Sequence, residues 1–192
     1  MERIMIFIDG SNFYHGLSDY YGKTAFDFEC FCNLLCGNER RLVHTYYYNV
    51  ILRQANNKDL YAAQQRFISA LQHIPHFDFI KGRLVDRERD EKCPECGHEY
   101  KVSFQTEKGV DIQLAVQMLS SASDNQYDTA IIVSNDGDFA EAVKEVRRLR
   151  KSVENAEFPN RLPSYLSRQC SKIIKLSKDF IEPCFLPPLT PS

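Results

Sequence analysis

Two short runs without a polar interruption, Ile4-Met5-Ile6-Phe7-Ile8 and Ala130-Ile131-Ile132-Val133, stand apart from the spaced hydrophobic positions elsewhere in the chain. Continuous apolar runs of this length belong to strands covered on both faces, as in a parallel sheet. Other stretches have helical spacing. Leu60, Ala63, Gln64, Phe67, Leu71 and Ile74 recur at steps of three and four, with Asn56 or Asn57 as the cap and Pro75 as the stop. Val110, Leu114, Ala115, Met118 and Leu119 predict a second helix, and Phe139, Ala142, Val143, Val146 and Leu149 a third over 138–150. Phe28, Phe31, Cys32 and Leu35 predict a shorter one over 28–36, which makes Cys32 and Cys36 core thiols. Ser11 or Asn12 can cap a helix that begins near Phe13.

Further strands are expected over Arg41–Leu52, from Phe77 towards Val85, over 153–158, and at Ile173-Ile174-Lys175-Leu176. A turn over Leu162–Leu166 precedes the last of these. Strands that alternate with helices predict an α/β protein: a three-layer α/β/α, Rossmann-like domain with a central, mostly parallel sheet. It spans 1–182, and 183–192, ending in Pro187-Pro188-Leu189-Thr190-Pro191, is a tail. Within the domain, Asp86 to Lys92 is almost wholly charged, Cys93-Pro94-Glu95-Cys96-Gly97 forms a tight knuckle, and Tyr100, Val102 and Phe104 alternate. Residues 86–106 therefore read as a small hairpin insertion carrying a cysteine knuckle.

At 192 residues and 43% hydrophobic, the chain can bury one substantial core, which excludes a disordered protein. No apolar stretch approaches the roughly 18 residues of a membrane span, and the first residues enter a strand without a cleavable leader. With seven cysteines, an odd number for a secreted disulfide framework, the expectation is a cytoplasmic protein with reduced thiols and no membrane partner. Net charge is −2, but residues 1–143 carry −7 and 144–178 carry +7. A basic stretch beside an acidic site suits a polyanion; the same cations at the end of a helix also suit the macrodipole.

Candidate chemistry follows from where the aspartates fall. Asp9 ends the first apolar run, and Asp136 follows the second inside Ser134-Asn135-Asp136-Gly137-Asp138. The carboxyl ends of neighbouring strands in an open α/β sheet face one crevice, so these two can converge although 127 positions separate them in the sequence (9 to 136). Carboxylates packed together need a cation. Two other aspartates have a structural reading beside the chemical one. Asp138 with Glu141 fits a capping box, and Asp111 can stabilise a helix start.

Phe7-Ile8-Asp9-Gly10-Ser11-Asn12, then Lys108-Gly109-Val110-Asp111 with Leu114-Ala115-Val116, then Val133-Ser134-Asn135-Asp136-Gly137-Asp138-Phe139, resemble in order and spacing the motifs of NYN domains of the LabA-like group, in the PIN-like nuclease superfamily, over roughly 1–180. The resemblance implies a PIN-like fold and a ribonuclease dependent on Mg²⁺ or Mn²⁺. It implies Asp9, Asp111 and Asp136 as acidic metal-site residues, Asn12 as their polar companion and Asp138 as the second acid of the last motif. The chain departs from the pattern at Gln117, where relatives often carry an acid, and at Asn135, where glycine is common. Lys108 and the cations over 144–151, Arg147 and Arg148 among them, are candidates for the backbone of a single-stranded RNA. Phe13 or Tyr14 could stack a base, although core packing is the simpler role for both.

Cys93 and Cys96 form half of a zinc-ribbon pattern without its other half. His98, Cys30, Cys36, Cys170 or a second subunit in a homodimer could complete a structural Zn²⁺ site; a free dithiol or a degenerate site is the alternative. Two rivals to the nuclease remain. One is an inactive RNA-binding or protein-interaction module of the same fold. The other, an aspartyl phosphatase, would need Asp-x-Asp after the first strand, where Gly10-Ser11 follows Asp9.

Overall fold

The first apolar run forms β1 (Glu2–Asp9) at the centre of a sheet of seven strands. A computed structural model describes residues 1–55, 57–159 and 164–187. After β1 come α1 (Gly10–Tyr21), α2 (Phe28–Cys36), β2 (Arg40–Val50), α3 (Lys58–Leu71), β3 (Phe77–Lys92), β4 (Glu99–Lys108), α4 (Val110–Ser123) and β5 (Thr129–Val133). A 3₁₀ turn over Gly137–Phe139 leads into α5 (Ala140–Arg148), then β6 (Ser152–Glu157), β7 (Lys172–Lys175) and α6 (Lys178–Ile181). The strand order is β4-β3-β2-β1-β5-β6-β7, parallel throughout except for the antiparallel β3–β4 pair. This is the mostly parallel α/β architecture expected. None of the described helices is long and apolar enough to cross a membrane.

Both faces of β1 are covered, which is why its sequence does not alternate. Ile4, Ile6 and Ile8 pack with α1, α2 and α6, whereas Met5 and Phe7 pack with α4 and α5. The first core is rich in aromatic rings: Phe13 has Phe26, Phe28, Phe31 and Phe158 at centroid distances of 5.0–5.7 Å. Phe13 is therefore a packing residue and cannot stack a base. Cys32 and Cys36 are buried there, as their spacing predicted. Buried charges on β6 are paired: Glu154 meets Arg40 at 3.0 Å, and Glu157 meets Lys175.

Several boundaries differ from the sequence reading. Asp9, not Ser11 or Asn12, caps α1, which starts at Gly10. Its first turn comes so close to β2 that a methyl group on Gly10 would lie 2.6 Å from the Tyr48 carbonyl oxygen and 2.5 Å from the Tyr47 ring. Gly10→Ala is expected to cost about 1–3 kcal/mol, measured by chemical denaturation, because backbone must move. Asn57 caps α3 by accepting from the Leu60 amide at 2.9 Å; Asn56 lies outside the described residues. Leu60 itself is exposed. The buried side of α3 carries Ile68 and Leu71, and Gln64 is held by main-chain hydrogen bonds to Val50 and Leu52.

The expected hairpin over 86–106 is present, and the departure lies in the length of its first strand. β3 does not stop near Val85. It continues unbroken to Lys92 and pairs with β4 from Arg83↔Lys108 to Lys92↔Glu99, so 86–106 extends two sheet strands into an arm. The last parallel pair joins Val50, the end of β2, to Gly82. The arm thus leaves the sheet at its carboxyl edge. Part of the expected turn over 162–166, and the tail from 188 onward, lie outside the described residues.

Candidate metal-binding cleft

Beyond the carboxyl ends of β1 and β5 the chain changes direction of assembly, adding β2 and β3 on one side of β1 and β5, β6 and β7 on the other. Such a switch point leaves a crevice, because the two connecting segments go to opposite faces. Here the crevice is a cleft of about 320 Å³ lined by Asp9, Ser11, Asn12, His15, Gly16, Asp19, Tyr20, Glu107, Gly109, Val110, Asp111, Asn135 and Asp136.

Asp9 is held on both oxygens. One accepts from the Asn12 amide at 3.1 Å, and the other from the Ser134 hydroxyl at 2.9 Å. The Ser134 oxygen in turn accepts from the Asp136 amide at 3.0 Å, and the Asn12 side-chain oxygen accepts from the Asn135 amide at 3.1 Å. Of these four hydrogen bonds, Ser134 to Asp9 and Asn135 to Asn12 join the start of α1 to the loop after β5, and the other two brace each side. Asp136 caps the following 3₁₀ turn by accepting from the Asp138 amide at 2.9 Å. The expected capping box headed by Asp138 is replaced by this arrangement, and Glu141 instead meets Lys144 at 2.6 Å. Asp111 sits in the first turn of α4, entered through Gly109 in the left-handed region (φ 87°).

Sequence reasoning missed Glu107 and Ser134. β4 returns from the arm and ends beside the cleft, delivering Glu107 four positions before Asp111. Glu107 stood next to the recognisable Lys108-Gly109-Val110-Asp111 segment, which was the available signal. The other expected residues fall differently. Asp138 is exposed and outside the lining, yet its charge reaches Asp111. Lys108 is exposed between two lining residues. Arg147 donates to the Gln169 carbonyl at 2.7 Å and Arg148 to Glu145 at 2.9 Å, so neither joins the cleft. Tyr14 is exposed away from the lining, whereas Tyr20 belongs to it and stacks on Phe158 at 5.6 Å. Gln117 bonds Ser121 within α4.

The cleft resists negative charge. Burial, and then the charges of Asp111 and Asp136, push the Asp9 carboxyl up, against the lowering pull of its hydrogen bonds from Asn12 and Ser134. Burial and the charges of Asp9 and Asp111 raise Glu107; burial and the charges of Asp136 and Asp138 raise Asp111. Among the described residues no group of three His, Cys, Asp or Glu side chains is placed to hold a metal ion. The donor set nevertheless suits a hard cation that keeps several waters: carboxylate oxygens, and a buried Asn135 side-chain oxygen without a hydrogen-bond partner.

A sign follows for stability. Because the folded Asp9 binds its proton more tightly than the unfolded chain does, stability conferred by the protonated form is lost as pH rises upward from the ordinary value of 3.8. In chelator, Asp9→Asn is therefore expected to melt above the parent protein at neutral pH and to lose that advantage below pH 3.8. A gain of about 1 kcal/mol reads as a Tm rise of about 2–4 °C. Equal melting temperatures of variant and parent at both pH 4 and pH 7.5 would refute the burial of this charge.

The fold has a counterpart among solved structures. The fold matches the crystal structure of a protein of unknown function, VPA0982, from Vibrio parahaemolyticus RIMD 2210633, with a TM-score of 0.68, covering 94% of this chain and 96% of that one at 24% identity. The chain is also similar to 6-hydroxy-3-succinoylpyridine 3-monooxygenase HspA of Pseudomonas putida (strain DSM 28022 / S16), 30% identical over 109 residues. That match covers 51% of this chain and only 35% of the relative. The pattern of the NYN domain, by contrast, extends over residues 3–177, from β1 to the start of α6, and takes in every segment that lines the cleft. With nearly its whole length so matched, this chain belongs to the NYN domain family, a branch of the PIN-like nuclease superfamily.

Proposed function

We propose that this NYN domain is a metal-dependent ribonuclease that hydrolyses phosphodiester bonds of single-stranded RNA in the cytoplasm. The observation that carries the reading is the convergence of Asp9, Glu107, Asp111 and Asp136 on one cleft at the switch point of the sheet. Asp9, Asp111 and Asp136, with Glu107 beside them, would hold Mg²⁺ or Mn²⁺. When bound, the ion supplies an acidified water and charge neutralisation at the phosphate. Asn12 has its side-chain oxygen engaged by the Asn135 amide, which leaves its NH₂ group as a donor for a non-bridging phosphate oxygen. Tyr20 brings an aromatic ring to the cleft, and Lys108 a cation at its rim.

The test incubates purified protein with end-labelled single-stranded RNA in Mg²⁺, in Mn²⁺ and in chelator. Cleavage in metal and none in chelator is the expected result. RNA bound tightly but left intact in every metal would replace the enzyme by a binding module of the same fold.

A further inference from the structure

The arm ends in a feature that the cleft does not use. At its tip, the Cys93 amide donates to the His98 carbonyl at 2.9 Å and the Gly97 amide donates to the Cys93 carbonyl at 2.9 Å, with Gly97 in the left-handed region (φ 74°). This closes the Cys93–Gly97 turn tightly enough that the amides of Glu95 and Cys96 point at the Cys93 sulfur, and the Cys96 side chain meets it as well. Two sulfurs side by side on a turn, with amides directed at one of them, make a metal knuckle. Cys96 is exposed and Cys93 partly so.

The knuckle is incomplete within one chain. Among the described residues no third His, Cys, Asp or Glu joins it in a group able to hold a metal. The other cysteines are occupied elsewhere. Cys30 and Cys184 meet each other at 2.7 Å, Cys32 and Cys36 are buried under β2, and Cys170 bonds the Leu166 carbonyl. The tip is also far from them. Ten residues of β3, Arg83 to Lys92, run past the last parallel pair, roughly 33 Å of extended chain. None of these body cysteines can therefore complete the site, while the reach of the arm keeps a second body out of the way.

We propose that Cys93 and Cys96 hold a Zn²⁺ ion together with the same two residues of a second copy of this chain. The four thiols each release a proton to solvent as the thiolates close a tetrahedral site, and the two arms meet tip to tip. Ion pairs that staple β3 to β4 near the tip, Lys92–Glu99 and Lys101–Glu88, with Arg89–Glu91 along β3 and Arg89 over the Phe104 ring, keep the arm extended enough to present it. This assembly is independent of whether the cleft cleaves RNA.

The experiment uses the full chain, stripped of metal and kept under a phosphine reductant, with Zn²⁺ alone as the added probe. Light scattering should show a mass near twice 22.3 kDa at about one zinc per two chains, reverting to monomer in chelator. Cys93→Ser and Cys96→Ser should each abolish the zinc-dependent dimer with an unchanged far-ultraviolet circular dichroism spectrum, since both lie outside the core. Asp9→Asn should dimerise like the parent, which separates this site from the cleft. Co²⁺ in place of Zn²⁺ should give thiolate charge-transfer absorption of about twice the intensity of a two-thiolate site in the parent chain. A monomer that binds one zinc per chain, a dimer that survives Cys96→Ser, or no zinc uptake each overturns the proposal.

Discussion

Asp9→Asn and Asp136→Asn should each lower the proposed metal-dependent RNA cleavage by at least about 100-fold, the scale on which an active site loses one preorganised group that meets developing charge. The two variants should behave alike because both carboxylates line the same cleft. Neither change should unfold the protein. An asparagine oxygen at position 9 can still accept from the Asn12 amide, so the cap of α1 survives. Glu107→Gln should fall by about 10–100-fold, since that carboxylate lines the same cleft and feels the charges of Asp9 and Asp111. Single-turnover rates with each variant, alongside melting curves, make the comparison. Activity within about threefold of the parent in Asp136→Asn would sink the proposed chemistry, whatever happens to RNA binding.

The largest stability effect belongs to Phe13→Ala. Phe13 is 1% exposed and packs among the rings of Phe26, Phe28, Phe31 and Phe158, so the deletion leaves a void that a crowded aromatic cluster cannot collapse into. The cost should be about 3–5 kcal/mol, with a fall in Tm of roughly 6–20 °C by denaturant and thermal unfolding. Because Asn12 precedes Phe13 on the same turn, the variant should also lose cleavage at temperatures where it is still folded. A cost below about 1 kcal/mol would mean that the rings do not pack as described.

What could be read from the sequence was whatever burial writes into it. β1 and β5 are covered on both faces and carry continuous apolar runs; α4 and α5 carry stripes. Asp9 and Asp136 were legible because a carboxylate placed directly after a buried strand is costly unless hydrogen bonds or a cation meet it. The length of β3 was not legible. Beyond Val85 the burial pattern is almost wholly exposed, so neither face selects for apolar residues and only the pairing with β4 defines the strand. The exposure of Leu60 was hidden for a related reason: Gln64, which falls on the helical spacing, tethers α3 to the end of β2 by polar bonds that a hydrophobic pattern does not weigh. Ser11 and Asn12 are the caps the sequence offers for α1, but Asp9 shares their turn, and its extended ψ of 99° and its bond from the Asn12 amide make it the cap. Glu107 faces the cleft solely because the arm turns back at Cys93–Gly97, a fact of three-dimensional return rather than local pattern.

The hydroxyl of Ser134 has a consequence during synthesis. β1 is made first, but its neighbour β5 and the loop that clasps Asp9 follow more than a hundred residues later. Until that stretch has left the ribosome, the growing polypeptide has a lone carboxylate and no pocket around it. Assembly of the cleft therefore waits on β5 and the loop after it, however early β1 takes shape.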